Sequence, residues 1–285
     1  MKVIRSDVLG FCFGVRRAVE LAEKALSENP DKNVYSLGPL IHNESALKEL
    51  GEKGLRTVEA SELDKIPDGA VVIIRAHGVP PVTIEALENK KCLIVDATCP
   101  RVKASQKMVE RYSSESDYVI LAGDRNHGEV IAIAGYAGKN FSQIQNYEEA
   151  ENLEITQADN KNIILLGQTT YSPKEFVRIT ELFKSKFRNL DVMNTICPAT
   201  NERQNALLEL CKKVDGVLVI GGKMSANTKR LYQTAAENCK NACHIQTAAE
   251  IPPLFYSLET VGITAGASTP DSIIQQVEQA LLNHH

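Results

Sequence analysis

No apolar run in this 285-residue chain approaches the roughly 18 residues that cross a bilayer as a helix. Nor does the opening MKVIRSDVLG show the basic-then-apolar order of a secretion signal, so the expected compartment is the cytoplasm. Basic clusters are missing too. The formal net charge is −4, no partner nucleic acid is expected, and an anionic ligand has to be held by local groups. No CxxC links Cys12, Cys99 and Cys197, so these three isolated thiols fit a structural zinc poorly. Cys239, Cys243 and His244 suggest a metal by spacing, but Cys243 reads as opening a strand, and a reducing compartment argues against a disulfide framework. The chain also lacks GxxxxGK[ST] and a well-placed GxGxxG, so the usual nucleotide-binding routes are not expected.

What is present is a chain with 43% hydrophobic and 24% charged residues, enough for a sizeable core and two or three domains. Nine short apolar runs read as buried strands, beginning at Val3, Val34, Ala70, Leu93, Tyr118, Ile163, Val217, His244 and Val261. Between them lie segments with apolar residues at spacings of three and four, such as 16–28, 102–114, 173–187, 202–214 and 228–239, which predict helices packed on one side. Strand alternating with helix predicts an α/β fold with mostly parallel sheets.

The loops after these strands carry the chemistry. GFCFGV holds Cys12, LGPLIHN His42, RAHGV His77, ATCP Cys99, AGDRNHGEV His127 and Glu129, GQTTYS Thr169 and Thr170, TICP Cys197, GGKMSANT Ser225 and Asn227, and GASTP Ser268. Their order has a rhythm. Cys12 is followed after 30 residues by His42, Cys99 after 28 by His127, and Cys197 after 28 by Ser225. The next steps are 35 residues to His77, 42 to Thr169 and 43 to Ser268. One cysteine and then two polar strand ends, three times over, predicts three similar α/β units at 13–98, 99–195 and 196–282, with the N-terminal strand 1–12 packing on the third. Arranged as a trefoil-like pseudo-threefold assembly, they would aim their loops at one central cavity.

Three thiolates, one per unit, suit an iron–sulfur cluster with one iron left open for a substrate oxygen. The other cysteines read as packing residues: Cys211 lies beside Leu207 and Leu208 on a helix, while Cys92 and Cys243 open strands. His42, His77 and His127 in converging loops would make an anion site. Ser225, Asn227 and Ser268 add neutral donors, and the helix after Ser225 offers backbone N–H groups to phosphate. Glu129 in a dry pocket is a candidate proton donor, with Thr169 or Thr170 orienting it. On the residues alone, a hydro-lyase with an open iron and a non-catalytic phosphate-binding scaffold both stay open.

Taken together, GFCFGVRRAV, LGPLIHN, RAHGV, DATCP, HGEV, GQTT, TICPATNERQ, SANT and GAST resemble the LytB family of 4-hydroxy-3-methylbut-2-enyl diphosphate reductases over about residues 1–280. The resemblance implies reductive dehydroxylation of that allylic diphosphate to isopentenyl and dimethylallyl diphosphate, the last step of the non-mevalonate isoprenoid pathway. It implies one [4Fe-4S] cluster on Cys12, Cys99 and Cys197 with one open iron, and an electron donor such as ferredoxin or flavodoxin. By the same resemblance His42, His77, His127, Thr169, Ser225, Ala226, Asn227 and Ser268 hold the substrate, and Glu129, Thr169 and His127 serve the proton path. Two positions depart from the family pattern. Ala226 stands where some members have serine, and Gly128 where others have proline, which is expected to loosen the loop presenting Glu129.

Overall fold

The computed structural model describes residues 1–41, 43–114, 117–156 and 161–283. Among these, twelve strands form three four-stranded sheets. In one, β2 (Val34–Leu37) and β4 (Val71–Ile74) lie at the centre, with β3 (Leu55–Val58) and β5 (Leu93–Asp96) at the edges. In the second, β6 (Tyr118–Ala122) and β8 (Ile163–Gly167) lie between β7 (Phe141–Ile144) and β9 (Leu190–Met193). In the third, β10 (Gly216–Ile220) and β12 (Thr260–Ala265) lie between β11 (Ala242–Ile245) and β1 (Lys2–Arg5). The central pairs run parallel, as do β4 with β5, both outer pairs of the second sheet, and β1 and β11 with their neighbours. Short helices α2 (Glu44–Glu52), α3 (Pro81–Asn89) and α6 (Tyr147–Glu151) fill connections in the first two sheets.

Period-two burial explains why the central strands read as continuous apolar runs. Along β8, Ile163 and Leu165 pack with Phe176, Ile179 and Phe183 of α7 (Pro173–Lys186), while Ile164 and Leu166 meet Val102 and Val109 of α4 (Pro100–Ser114) and Val130 and Ile133 of α5 (Gly128–Ala134). Along β10, Leu218 and Ile220 face Ile273 and Val277 of α10 (Asp271–Leu282), whereas Val217 and Val219 face Leu207 and Cys211 of α8 (Pro198–Cys211) and Leu231 of α9 (Ala226–Asn238). A parallel sheet buried on both faces needs apolar side chains at every position.

By packing, the chain divides into two compact units. One comprises Met1–Leu26, Pro39–Leu55 and Pro198–His285 and contains the third sheet. The other comprises Ser27–Gly38 and Arg56–Cys197 and contains the second sheet and nearly all of the first. No helix among the described residues is long and apolar enough to cross a membrane.

Candidate active site

Each of the three cysteines follows an edge strand and sits directly before a long helix: Cys12 before α1 (Phe13–Glu28), Cys99 before α4 and Cys197 before α8. The backbone repeats with them. The Cys99 N–H donates to Ala76 O (2.9 Å), that of Cys197 to Thr169 O (2.8 Å) and that of Cys12 to Ala267 O (3.1 Å). All three acceptors occupy the second position of a four-residue turn, closed by Gly78 N–H to Arg75 O, Tyr171 N–H to Gln168 O and Thr269 N–H to Gly266 O. The third positions are then His77, Thr170 and Ser268, so Thr170, rather than Thr169, stands in the place that matches His77 and Ser268.

A second repeat lies one loop earlier. Gly38, Gly123 and Gly221 each donate their N–H to the last residue of the neighbouring edge strand, Val58, Ile144 and Ile245. Four residues beyond these glycines come His42, His127 and Ser225. His42 lies outside the described residues, as does the side chain of Ala226. His127 and Ser225 both cap helices: His127 Nδ1 accepts from the Glu129 N–H (3.2 Å), and Ser225 Oγ accepts from the Thr228 N–H (3.3 Å). Ser225 keeps its hydroxyl proton for a ligand, and next to it the buried Asn227 Nδ2 has no hydrogen-bond partner. An orphaned donor at the start of a 13-residue helix fits an anionic oxygen.

Within the unit that holds the second sheet, Glu129 and Thr169 meet across 40 residues of sequence. Glu129 is 2% exposed; its Oε1 accepts from the Thr169 N–H and its Oε2 from Thr169 Oγ1, both at 2.6 Å. Burial pushes this carboxyl above the usual carboxylate range, and the two hydrogen bonds from Thr169 offset part of that rise. The result is a desolvated acid that holds a proton more firmly than glutamate does in water, with the Thr169 hydroxyl beside it. The His127 ring stands edge-on to His77, with centroids 4.9 Å apart. Gln168 ties the two loops together, accepting from the Asp124 N–H (3.0 Å) and donating to Thr170 Oγ1 (2.9 Å).

The LytB protein family model matches residues 3–282 of this sequence. The chain belongs to the LytB family. Among its relatives, the 4-hydroxy-3-methylbut-2-enyl diphosphate reductase of Treponema denticola is 47% identical over 288 residues, covering 99% of each chain. That of Caldanaerobacter subterraneus subsp. tengcongensis is 42% identical over 97% of this chain and 95% of the relative. Two solved structures are similar throughout. One is of (E)-4-hydroxy-3-methyl-but-2-enyl diphosphate reductase, the terminal enzyme of the non-mevalonate pathway, with TM-score 0.78, 38% identity and 99% of both chains covered. The other is the Plasmodium falciparum reductase, with TM-score 0.89, 30% identity, and 99% and 88% covered.

As a LytB protein the chain calls for a cluster, and its donors can be tested for fit. Among the described residues, no three His, Cys, Asp or Glu side chains group closely enough for a single metal ion. A cubane makes a different demand, since each thiolate takes its own iron corner. Cys12, Cys99 and Cys197 are half-buried and in no disulfide, share one backbone setting, and stand at helix N-termini whose dipoles favour anionic ligands. They fit. The remaining cysteines differ from these three: Cys211 packs in the apolar cluster beside β10, and burial first, then the neighbouring Cys239, pushes its thiol to about 11.

Sequence reasoning in the LytB frame passed over Gln168 and Arg75. Both lie in quoted motifs, at the first position of their turns, but neither is a residue type that advertises redox chemistry. At position 128 the Arg75 guanidinium stands where the Cβ of any other residue would lie.

One outcome follows from the carboxyl's surroundings. Thr169→Val keeps the N–H bond to Glu129 but deletes the hydroxyl that lowers its pKa. If protonated Glu129 is the active form, the activity limb that falls with rising pH moves to higher pH, and turnover drops about 10-fold. A pH profile of kcat superimposable on wild type would remove the hydroxyl from the proton path.

Proposed function

We propose that this chain is a 4-hydroxy-3-methylbut-2-enyl diphosphate reductase, converting its allylic diphosphate to isopentenyl and dimethylallyl diphosphate at the end of the non-mevalonate pathway. The observation that carries the reading is the buried Glu129–Thr169 pair, a proton store kept dry beside the turn that receives Cys197. In balance, the substrate's C–OH bond is replaced by C–H with two electrons and two protons, and the oxygen leaves as water.

Cys12, Cys99 and Cys197, each following an edge strand of a different sheet, would hold a [4Fe-4S] cluster. When bound, that cluster supplies a Lewis-acidic open iron for the substrate hydroxyl and a path for electrons. In its neutral form Glu129 donates to Thr169 Oγ1 across the same 2.6 Å contact while the threonine hydroxyl proton moves on towards the leaving oxygen. The buried setting makes the neutral acid the resting form over a wider pH range. His77 and His127, together with His42, Ser225, the Ala226 N–H, Asn227 and Ser268, hold the diphosphate. Exclusion of water strengthens each of those contacts. Electrons come from a small donor such as ferredoxin or flavodoxin in the cytoplasm.

The test is anaerobic turnover of the cluster-loaded chain with the allylic diphosphate and a chemical reductant, products being identified by mass and NMR. Both C5 diphosphates are expected, in strict dependence on reductant. Product formed without electron input would instead indicate a hydro-lyase, and absence of any turnover with a fully loaded cluster would reject the assignment.

A further inference from the structure

Arg75 is a partly buried cation that no carboxylate among the described residues pairs with. It follows β4 and opens the turn that presents His77. Its guanidinium lies flat between two glycines from different loops: a Cβ on Gly38 would come 2.6 Å from Nη1, and a Cβ on Gly128 would collide with Nη2. Gly38 is doubly constrained, because its φ of +69° also favours glycine. Gly128 adjoins His127, whose ring touches that of His77, so the fork and two imidazoles share one neighbourhood. Arg75 Nε is buried with no hydrogen-bond partner, and among the described residues Arg75 itself forms no ion pair with a carboxylate. The charged group it senses most is Glu59, which is exposed to solvent. Burial, the largest influence, lowers its pKa, a sign that the charge is held at a cost awaiting an anion.

Chemistry says which anion. A diphosphate carries two or three negative charges at neutral pH, and imidazoles lose their positive charge as pH rises, whereas a guanidinium keeps it and offers a planar fork matched to phosphate oxygens. We propose that Arg75 is the fixed cation of the diphosphate site, its fork shaped by the bare Cα atoms of Gly38 and Gly128 and its charge completed by the substrate. This rests on the diphosphate site assigned above to His77 and His127, and it adds to that site a residue class those assignments lack.

Inorganic pyrophosphate is the probe, its Kd measured by calorimetry on the cluster-loaded protein at pH 6 and pH 8 in fixed salt. Wild type should bind at both. Arg75→Gln should weaken binding about 10-fold or more, with a larger loss at pH 8, where imidazoles ordinarily carry no charge, and Arg75→Lys should restore part of it. Gly128→Ala, which puts a methyl group where Nη2 lies, should weaken binding in the wild-type background yet add little in Arg75→Gln. Should Arg75→Gln fail to fold, Arg75→Lys and Gly128→Ala carry the test, and wild-type affinity in both overturns the proposal. Equal affinity in wild type and a folded Arg75→Gln overturns it as well, leaving the site reading intact. A wild-type protein that binds no pyrophosphate overturns the site reading, and the proposal with it.

Discussion

Glu129→Gln is expected to lower turnover by about 10²–10⁴-fold while leaving the cluster and substrate affinity in place. The amide is nearly isosteric, and its oxygen can still accept one of the two bonds from Thr169, so the pocket keeps its shape. What it lacks is a proton to give. Steady-state kinetics with cluster absorption recorded on the same sample separates the cases: a matched fall in kcat and in bound iron would point to a damaged site, and near-normal kcat would exclude Glu129 from the proton path.

The same substitution has a thermodynamic signature. Glu129 holds its proton to a higher pH in the folded protein than the unfolded chain does near pH 4.3. Folding is therefore undisturbed by this group below the unfolded value, and loses stability as pH rises towards and through the folded one, since a buried carboxylate is costly. The amide of the variant never ionises. Thermal unfolding should show the variant more stable than wild type at pH 8 and no more stable at pH 4; a difference of the opposite sense would contradict the burial assigned to the carboxyl.

Cys99→Ser is the second large effect: cluster and activity should both disappear while the fold persists. Cys99 is only half-buried, and its contribution to the turn at Ala76 is made by a backbone N–H that serine retains. Far-ultraviolet circular dichroism should match wild type while bound iron and sulfide fall below the ratio of four each per chain. Cys211→Ser gives the contrast. It places a hydroxyl in an apolar cluster and should cost about 1–3 kcal/mol of stability, yet keep the colour and turnover. A Cys99→Ser protein with full iron content would require a different ligand set.

The central strands were legible because burial on both faces makes apolar runs. β3, β7 and β9 were not. Their sequences LRTV, FSQI and LDVM sit at sheet edges with polar or exposed residues at the two middle positions, so they show neither an apolar run nor a clean alternation. The rhythm of cysteines and polar loop ends was visible as spacing, and the structure resolves it into matching turns, moving the third threonine counterpart from Thr169 to Thr170. The pairing of Glu129 with Thr169 could not be read from spacing, since 40 residues separate them. Arg75 was invisible for another reason: its surroundings are two glycines, which carry no side chain to signal an approach.

The pairing of β1 with β12 sets a timetable for the newborn chain. Residues 2–5 leave the ribosome long before 260–265, their only strand neighbour among the described residues, and the Cys12 N–H waits for the carbonyl of Ala267. At about 5–20 residues per second, that partner arrives roughly tens of seconds later. Until then the third sheet lacks an edge and the Cys12 N–H lacks its acceptor. A chain cut short before residue 260 therefore leaves both β1 and the Cys12 N–H without the partners that the finished chain provides.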